Sequence, residues 1–182
     1  MARLLDTALL AELEATWQEA GAQIADVLAP GLSDGQIDEL MAPTGLRLPD
    51  EARRWWGWHN GVTEKARHGW DIGRQILFFS LSEALEDFGE LFGGGGESAP
   101  ATWLPWVRAA GGWVAIDCGQ PDIAPVYRVD VESGMFGAAD SMGEAVSLWI
   151  EMYKSGGWSL NPNGWGWDLD LERAPERAHR LL

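Results

Sequence analysis

The residues best spaced to bind a divalent cation are two groups of carboxylates. Asp130 and Glu132 form one group, and Asp168, Asp170 and Glu172 form the other. On a strand, alternate spacing places each group on one face, where its oxygens could hold a cation. A calcium-binding loop would also need a turn glycine and a terminal bidentate glutamate, and neither is placed correctly. We therefore interpret both groups as solvated strand edges and expect no metal site and no cofactor.

Residues for zinc-dependent or covalent catalysis lack the spacing that such sites need. His59, His68 and His179 form no HExxH pair, and His59 is interpreted as a cap at a helix end. The sequence contains no SxxK motif and no cysteine with an evident histidine partner. The run from Gly93 to Gly96 is followed by Glu97 instead of the lysine of a phosphate-binding loop, so we interpret the run as a flexible surface loop. The sequence therefore predicts a protein that is not an enzyme.

Cys118 is the only cysteine, so no intrachain disulfide can form. It follows Asp117 and has no cationic neighbour in sequence, which favours a half-buried structural thiol over a nucleophile. A chain without disulfides suits a reducing compartment. Because Asp6, Glu12 and Glu14 interrupt the apolar N-terminal residues, we expect no membrane span and a cytoplasmic location.

The charge of the chain narrows the class of ligand. Its 182 residues include 13 Lys and Arg against 28 Asp and Glu, which gives a net charge of −15 at pH 7. Such a surface repels phosphate backbones and anionic membranes, but it attracts basic proteins at long range. We expect neither nucleic acid nor a membrane as a partner. The charge also has a simpler explanation, which is solubility.

Tryptophan is unusually abundant, with twelve residues. Three explanations compete: rings that fill the core, exposed rings that stack on sugars, and exposed rings that anchor a protein interface. Core filling is expected to account for about half of them. For the remainder, the acidic charge favours a protein interface over a sugar platform.

Helices are predicted where apolar residues recur at steps of three and four between capping residues. The predicted helices are Asp6 to Leu28, Asp34 to Met41, Asp50 to His59 with a stop at Asn60-Gly61, Glu83 to Leu91, and one from Ser141 to Tyr153 that ends at Gly156-Gly157. A last helical turn is expected after Ala174.

Strands are predicted in short runs of apolar and aromatic residues that turn residues separate. The predicted strands are Gln75 to Phe79, Trp113 to Asp117, Ala124 to Val131, Met135 to Ala138, and a half-exposed edge strand from Trp165 to Leu171. The length fits a single domain with additional terminal elements.

The order of three short blocks resembles the SUKH superfamily, which unites bacterial toxin-immunity proteins with fungal cell wall assembly regulators. The first block runs from Leu48-Pro49-Asp50-Glu51 to His59-Asn60-Gly61. The second comprises Thr102-Trp103-Leu104-Pro105, Gly111-Gly112 and Ile116-Asp117. The third comprises Val126 and the helix that follows Ser141. The resemblance covers residues 32–157.

The resemblance implies an α+β fold in which helices flank a central, mostly antiparallel sheet. It also implies a binding protein without catalytic residues, and it places Trp55 and Trp56 in the core. We expect an N-terminal amphipathic helix over residues 1–31, the SUKH-like domain over 32–157 and a Trp-rich acidic extension over 158–182.

The leading hypothesis is an immunity or interaction protein that binds a basic toxin domain through an acidic surface. Its predicted contacts are Trp58, Glu64, Asp71, Trp106, Asp122, Trp165, Trp167, Asp168 and Asp170, which the pattern leaves outside the expected core. One alternative is a cell-wall-related or carbohydrate-binding protein that uses exposed tryptophans. A second alternative is an enzyme with an unrecognised carboxylate pair.

Overall fold

The structure is a computed structural model that describes residues 3–63, 71–73, 76–93, 99–161 and 166–182. Its α-helices are α1 (Thr7–Glu19), α2 (Asp34–Met41), α3 (Asp50–Trp58), α4 (Leu81–Gly93) and α5 (Met142–Ser155). Shorter 3-10 helices cover Gln23–Asp26, Ala42–Thr44 and Glu176–Leu181. No helix in the described ranges is both long enough and apolar enough to cross a membrane.

The strands form one large antiparallel sheet and two small hairpins. The strands are β1 (Leu28–Pro30), β2 (His59–Val62), β3 (Asp71–Gly73), β4 (Ile76–Phe78), β5 (Trp103–Ala109), β6 (Gly112–Asp117), β7 (Val126–Asp130), β8 (Gly134–Ala139), β9 (Trp158–Leu160) and β10 (Trp167–Leu169). The large sheet has six strands in the order β3-β4-β5-β6-β7-β8, while β1 pairs with β2 and β9 with β10. The α+β class is therefore confirmed.

Local capping explains where several helices begin and end. The Ser33 hydroxyl accepts a hydrogen bond from the Gln36 backbone amide, and Gln36 Oε1 accepts one from the Ser33 backbone amide, so the two residues form a capping box. The Ser141 hydroxyl caps α5 in the same way, by accepting from the Glu144 amide. Gly156 has φ 77° and ends α5 in the left-handed region, as the sequence predicts.

The predicted end of the first helix is wrong. α1 stops at Glu19, and Gly21 adopts φ 68°, which breaks the helical path. Leu28–Pro30 then forms β1 and pairs with β2, with Leu28 opposite Val62. This long-range pairing overrides the helical periodicity of the N-terminal segment.

The way in which the third helix ends is also predicted wrongly. α3 passes directly into β2 because His59 is extended, with φ −144°. Gly61 has φ 74° within that strand, and a Cβ at this position would lie 2.6 Å from the Ser80 nitrogen. Glycine is therefore needed for the close approach of two backbone segments, not for helix termination.

The core is built around indole rings, which confirms the prediction for Trp55 and Trp56. Both side chains are fully buried. The Trp55 ring lies 5.1 Å from Trp106 and 6.2 Å from Trp149, centroid to centroid. Trp56 Nε1 donates to the Phe79 carbonyl at 3.2 Å, so its polar edge is satisfied.

A buried carboxylate joins the N-terminal segment to the helices. Glu51 Oε1 accepts from the backbone amides of Leu5 at 2.7 Å and Gly143 at 2.9 Å, and Oε2 accepts from the Ala124 amide at 2.8 Å. The residue is fully buried. At Gly143, a Cβ would lie 2.4 Å from the Leu5 nitrogen, so the segments meet too closely for a side chain. Glu51 thus fixes α3, α5, the β6–β7 loop and the N-terminal segment relative to one another.

The C-terminal extension packs on the same core. β10 is a shorter version of the predicted edge strand and pairs with β9, with Trp167 opposite Leu160. Trp158 of β9 is buried, and Tyr153 of α5 lies 5.2 Å from the Trp167 ring. The boundaries proposed for three domains remain a prediction, although residues from α1, α5 and β9 belong to one hydrophobic cluster.

Candidate functional site

The last strand of the large sheet carries a group of exposed apolar side chains. Val131 is 73% exposed, Met135 38% and Phe136 40%. Val131 lies in the β7–β8 turn, while Met135 and Phe136 lie on β8 opposite Val129 and Arg128. We call these three side chains and the outer edge of β8 the β8 edge surface. Exposed apolar groups beside an open strand edge are a typical site of protein association.

The turn that presents this surface is held by a network of hydrogen bonds. Asp130 Oδ1 accepts from the Glu132 amide at 3.0 Å, the Ser133 amide at 2.9 Å and the Ser133 hydroxyl at 2.8 Å. Gly134 follows with φ 87°, a conformation that suits glycine. The turn is therefore preorganised, which reduces the entropy lost when a partner binds.

Arg128 connects this turn to the neighbouring one. Its side chain is only 3% exposed, and its guanidinium donates to the carbonyls of Ala110 and Trp113 and to Asp130 Oδ2. In addition, the Val131 amide donates to the Gly111 carbonyl at 3.0 Å. The β5–β6 and β7–β8 turns are therefore fixed side by side as one rigid end of the sheet.

The charges of this network are set by burial and hydrogen bonding. Burial lowers the pKa of the Arg128 guanidinium, and the adjacent Asp130 carboxylate opposes this effect. The pKa of Asp130 lies below its usual value, chiefly because the Ser133 amide and hydroxyl donate to it, followed by the Glu132 amide. Both groups are ionised at neutral pH, which keeps the network intact.

A cavity of about 860 Å³ adjoins the second half of β8. It is bounded by the starts of β7 and α5 and by the last 3-10 helix, and its lining residues include Pro125, Tyr127, Gly137, Leu148, Asp140, Glu144, Glu176, Arg177, His179 and Arg180. We call it the C-terminal cavity. Glu144 is already engaged, since it pairs with Arg177 and accepts from the Asp140 amide at 2.8 Å. The ionisable groups of this lining therefore include capping and ion-pairing residues.

The structure corrects the position of one predicted contact residue, Trp106, and shows how a second, Trp58, packs. Trp106 is fully buried in β5 and stacks on Trp149 with centroids 4.7 Å apart, so its expected position outside the core is wrong. Trp58 is only partly buried, but it packs against the core and stacks on Trp17 at 5.7 Å. Both rings contact Trp55, and a role of the partly buried Trp58 in binding stays a prediction.

The other described contact candidates lie near the surface. Asp122 is exposed in the β6–β7 loop, and Asp168 and Asp170 are exposed in and after β10. Asp71 and Trp167 are brought together, because Trp167 Nε1 donates to the Asp71 carbonyl at 3.3 Å. Their role in binding stays a prediction. The predicted contacts Glu64 and Trp165 lie outside the described residues.

The tryptophans as a whole are less exposed than the interface hypothesis requires. The structure describes ten of them, and each is buried or partly buried: Trp17, Trp55, Trp56, Trp58, Trp103, Trp106, Trp113, Trp149, Trp158 and Trp167. Trp103, for example, is covered by Tyr127, which stacks on it at 4.0 Å. In the described part of the chain, tryptophan therefore fills cores and offers no open stacking platform.

Cys118 and His59 could in principle act in catalysis, but their surroundings are typical of structural residues. Burial raises the pKa of the Cys118 thiol to about 12, with a smaller contribution from Asp117, so the thiolate needed for attack is scarce. His59 Nδ1 lies 2.9 Å from the Ala29 carbonyl, which anchors β2 to β1 where a helix cap was expected. Within the described ranges, no three His, Cys, Asp or Glu residues come together as a metal site. His68 and Gly94 to Gly96 lie outside those ranges.

Sequence reasoning missed the exposed apolar side chains of Val131, Met135 and Phe136. The strand itself was predicted over Met135 to Ala138, but the prediction did not specify its position in the sheet. A signal was present, since the strand Gly-Met-Phe-Gly-Ala-Ala has two large side chains and no charge. The exposure of those side chains follows from the terminal place of β8 in the strand order.

Comparisons with known proteins agree with the sequence blocks. A family model described as SMI1 / KNR4 family (SUKH-1) matches residues 31–147, which include β2 to β8 and the start of α5. A comparison with curated proteins gave no match.

Proposed function

This chain belongs to the SMI1 / KNR4 family (SUKH-1), and from that premise we propose that it is a non-catalytic immunity protein. It binds a basic toxin domain and blocks that domain's activity. The role requires a rigid face that the partner can reach and a charge that attracts it. The β8 edge surface supplies the face, and the net charge of −15 supplies the attraction.

The observation that carries this proposal is the preorganised end of the sheet. Val131 exposes apolar surface in a turn that Arg128 and Asp130 hold in place, and Met135 and Phe136 expose apolar surface on the strand that follows it. Glu132 is exposed in the same turn and adds a negative charge beside the apolar group. An apolar centre with a charged rim is the usual anatomy of a protein interface.

Co-production tests the immunity function. A toxin domain identified in the gene neighbourhood of this chain is produced in a bacterial host with and without the chain. The proposal expects growth only when the chain is present, and the purified pair should form a stable complex. Continued killing by a correctly folded toxin domain in the presence of the chain would refute the proposal.

Salt dependence and matched charge reversals test the proposed surface. The association rate should fall at least about tenfold between low and high salt, because added ions screen exposed charges. Glu132→Lys should slow association more than Glu39→Lys, an equal charge change on an exposed position of α2. Equal effects of the two variants would show that only the net charge matters and that the turn is not the contact.

A further inference from the structure

The outer edge of β8 is open over the part of the chain that the structure describes. β7 pairs with β8 along its full length, from Asp130 opposite Gly134 to Val126 opposite Ala139. Among described residues, the backbone hydrogen bonds outside the strand ladders do not involve Gly134–Ala139. The opposite side of this strand therefore has backbone donors and acceptors that an added strand could use.

The first half of β8 lacks the features that usually protect an open edge, and the register shift in its pairing with β7 lies in the second half, between Gly137 and Ala139. Proteins discourage strand addition with charged residues, proline or a covering segment. The six residues of β8 contain no charge and no proline, and Gly134 to Gly137 are all exposed. The last 3-10 helix approaches only the second half of the strand, where it bounds the C-terminal cavity. The first half, with Met135 and Phe136, is the accessible part.

Charges at the two ends of β8 discriminate between possible occupants. Glu132 precedes the strand, Asp140 follows it, and both are exposed. In an antiparallel pair of two copies, each Glu132 would face the Asp140 end of the other copy, so both ends would repel. The net charge of −15 on each copy adds to that repulsion. A foreign segment with an apolar centre and a Lys or Arg at each end would instead be attracted at both ends.

We propose that β8 binds an extended segment of a basic partner protein as a seventh strand of the sheet. The segment is about as long as β8, six residues, with apolar side chains against Met135 and Phe136 and basic side chains near Glu132 and Asp140. Main-chain hydrogen bonds supply affinity, while the alternate side chains supply specificity. At the Asp140 end, the C-terminal cavity gives room for a long side chain. Its charged lining comprises three carboxylates and two guanidinium groups, so it stays acidic on balance: Asp140, Glu144, Glu176, Arg177 and Arg180. The inference rests on the proposed function and specifies how its partner is held.

The first test uses a phage library of random twelve-residue peptides and the purified full chain. Because Met135 and Phe136 are neighbours on β8, their side chains lie on opposite faces of the sheet. The proposal therefore expects enriched peptides with adjacent apolar residues at the centre and basic residues on either side. Met135→Lys places a charge on the edge and should weaken these peptides at least about tenfold, whereas Leu171→Lys, on another exposed apolar residue, should leave their affinity unchanged. Absence of enrichment, or equal binding to both variants, would overturn the proposal.

A second measurement does not depend on the folding of any variant. The best peptide is synthesised with N-methyl groups on alternate amides, in the two possible phases. Only one phase should abolish strand pairing, with a loss of about tenfold or more, because only one set of amides faces β8. Equal effects of the two phases would contradict an added strand. Dimerisation of the chain that Met135→Lys abolishes would identify a second copy as the occupant and would also overturn the proposal.

The complex with the toxin domain separates this inference from the proposed function. If the toxin domain binds the wild-type chain and Met135→Lys equally well, the immunity function stands and the added strand is refuted. If the toxin domain does not bind the wild-type chain, the proposed function fails, and a peptide result would then describe only a property of the edge. Loss of toxin binding in Met135→Lys but not in Leu171→Lys supports both.

Discussion

Replacement of Glu51 by glutamine should destabilise the fold far more than a change of one atom type suggests. The Glu51 carboxylate is fully buried and accepts three backbone hydrogen bonds, from Leu5, Ala124 and Gly143. A glutamine side chain keeps the shape but has one acceptor oxygen and one NH2 donor. Its oxygen can still serve Leu5 and Gly143, but its NH2 group then faces the Ala124 amide, and two donors meet.

The expected magnitude follows from these contacts. Loss of one hydrogen bond to a charged acceptor, with a buried donor left unpaired, costs about 2–3 kcal/mol. The two remaining bonds become neutral and lose about 0.5–1 kcal/mol each. A neutral amide is cheaper to bury than a carboxylate, which offsets part of this cost. We expect Glu51→Gln to lower the free energy of unfolding by about 2–4 kcal/mol, a substantial fraction of the 5–15 kcal/mol of a typical domain.

Urea unfolding at neutral pH measures this effect, and Asp50→Asn is the matched control. With a slope near 2 kcal/mol per molar urea, the midpoint should fall by about 1–2 M. Asp50 lies one position earlier in α3 and is exposed, so its isosteric change should cost only about 0.3–1 kcal/mol through the helix dipole. Equal midpoints for the two variants would refute the argument that Glu51 joins the segments through its charge.

Two further predictions concern the core and the β7–β8 turn. Trp56→Ala should lower the free energy of unfolding by about 3–5 kcal/mol, because the ring is fully buried and donates a hydrogen bond to the Phe79 carbonyl. A loss below about 1 kcal/mol in urea unfolding would contradict the burial. The folded-state pKa of Asp130 lies below the ordinary value of 3.8. Its carboxylate therefore stabilises the fold above pH 3.8, and this contribution is lost as the pH falls through the folded-state pKa. The free energy of unfolding, measured from about pH 5 down to about pH 2, should therefore fall more steeply in the wild type than in Asp130→Asn. Parallel curves would contradict the stabilising role of the Asp130 carboxylate.

The helices were largely predictable because their signals are local. Ser33 and Ser141 lie three residues before the amides they cap, and the apolar faces repeat within a few turns. The end of α1 was not predictable in this way. The chain leaves the helix before Gly21 because Leu28 must pair with Val62, a residue far along the sequence, and no periodicity records that partner.

The strand β5 was missed for a different reason, and the error over Trp106 followed from it. Pro105 lies inside this internal strand, where proline normally argues against a strand. The structure accommodates it at a register shift between Pro105 and Val107. Once the segment is a strand, alternation turns Leu104 and Trp106 to the same face, which is the core. Without the strand, Trp106 had no assigned direction.

The β8 edge surface shows why a binding face is harder to predict than a core. The core positions of Trp55 and Trp56 were implied by the family resemblance, and both residues lie on the buried side of α3. The exposure of Met135 depends instead on the fact that no further strand follows β8 in the sheet. That property belongs to the whole strand order, which pairs six segments spread from Asp71 to Ala139. The acidic charge can be counted from the sequence, but its value for binding depends on the uncovered edge beside Glu132 and Asp140, which only the assembled sheet defines.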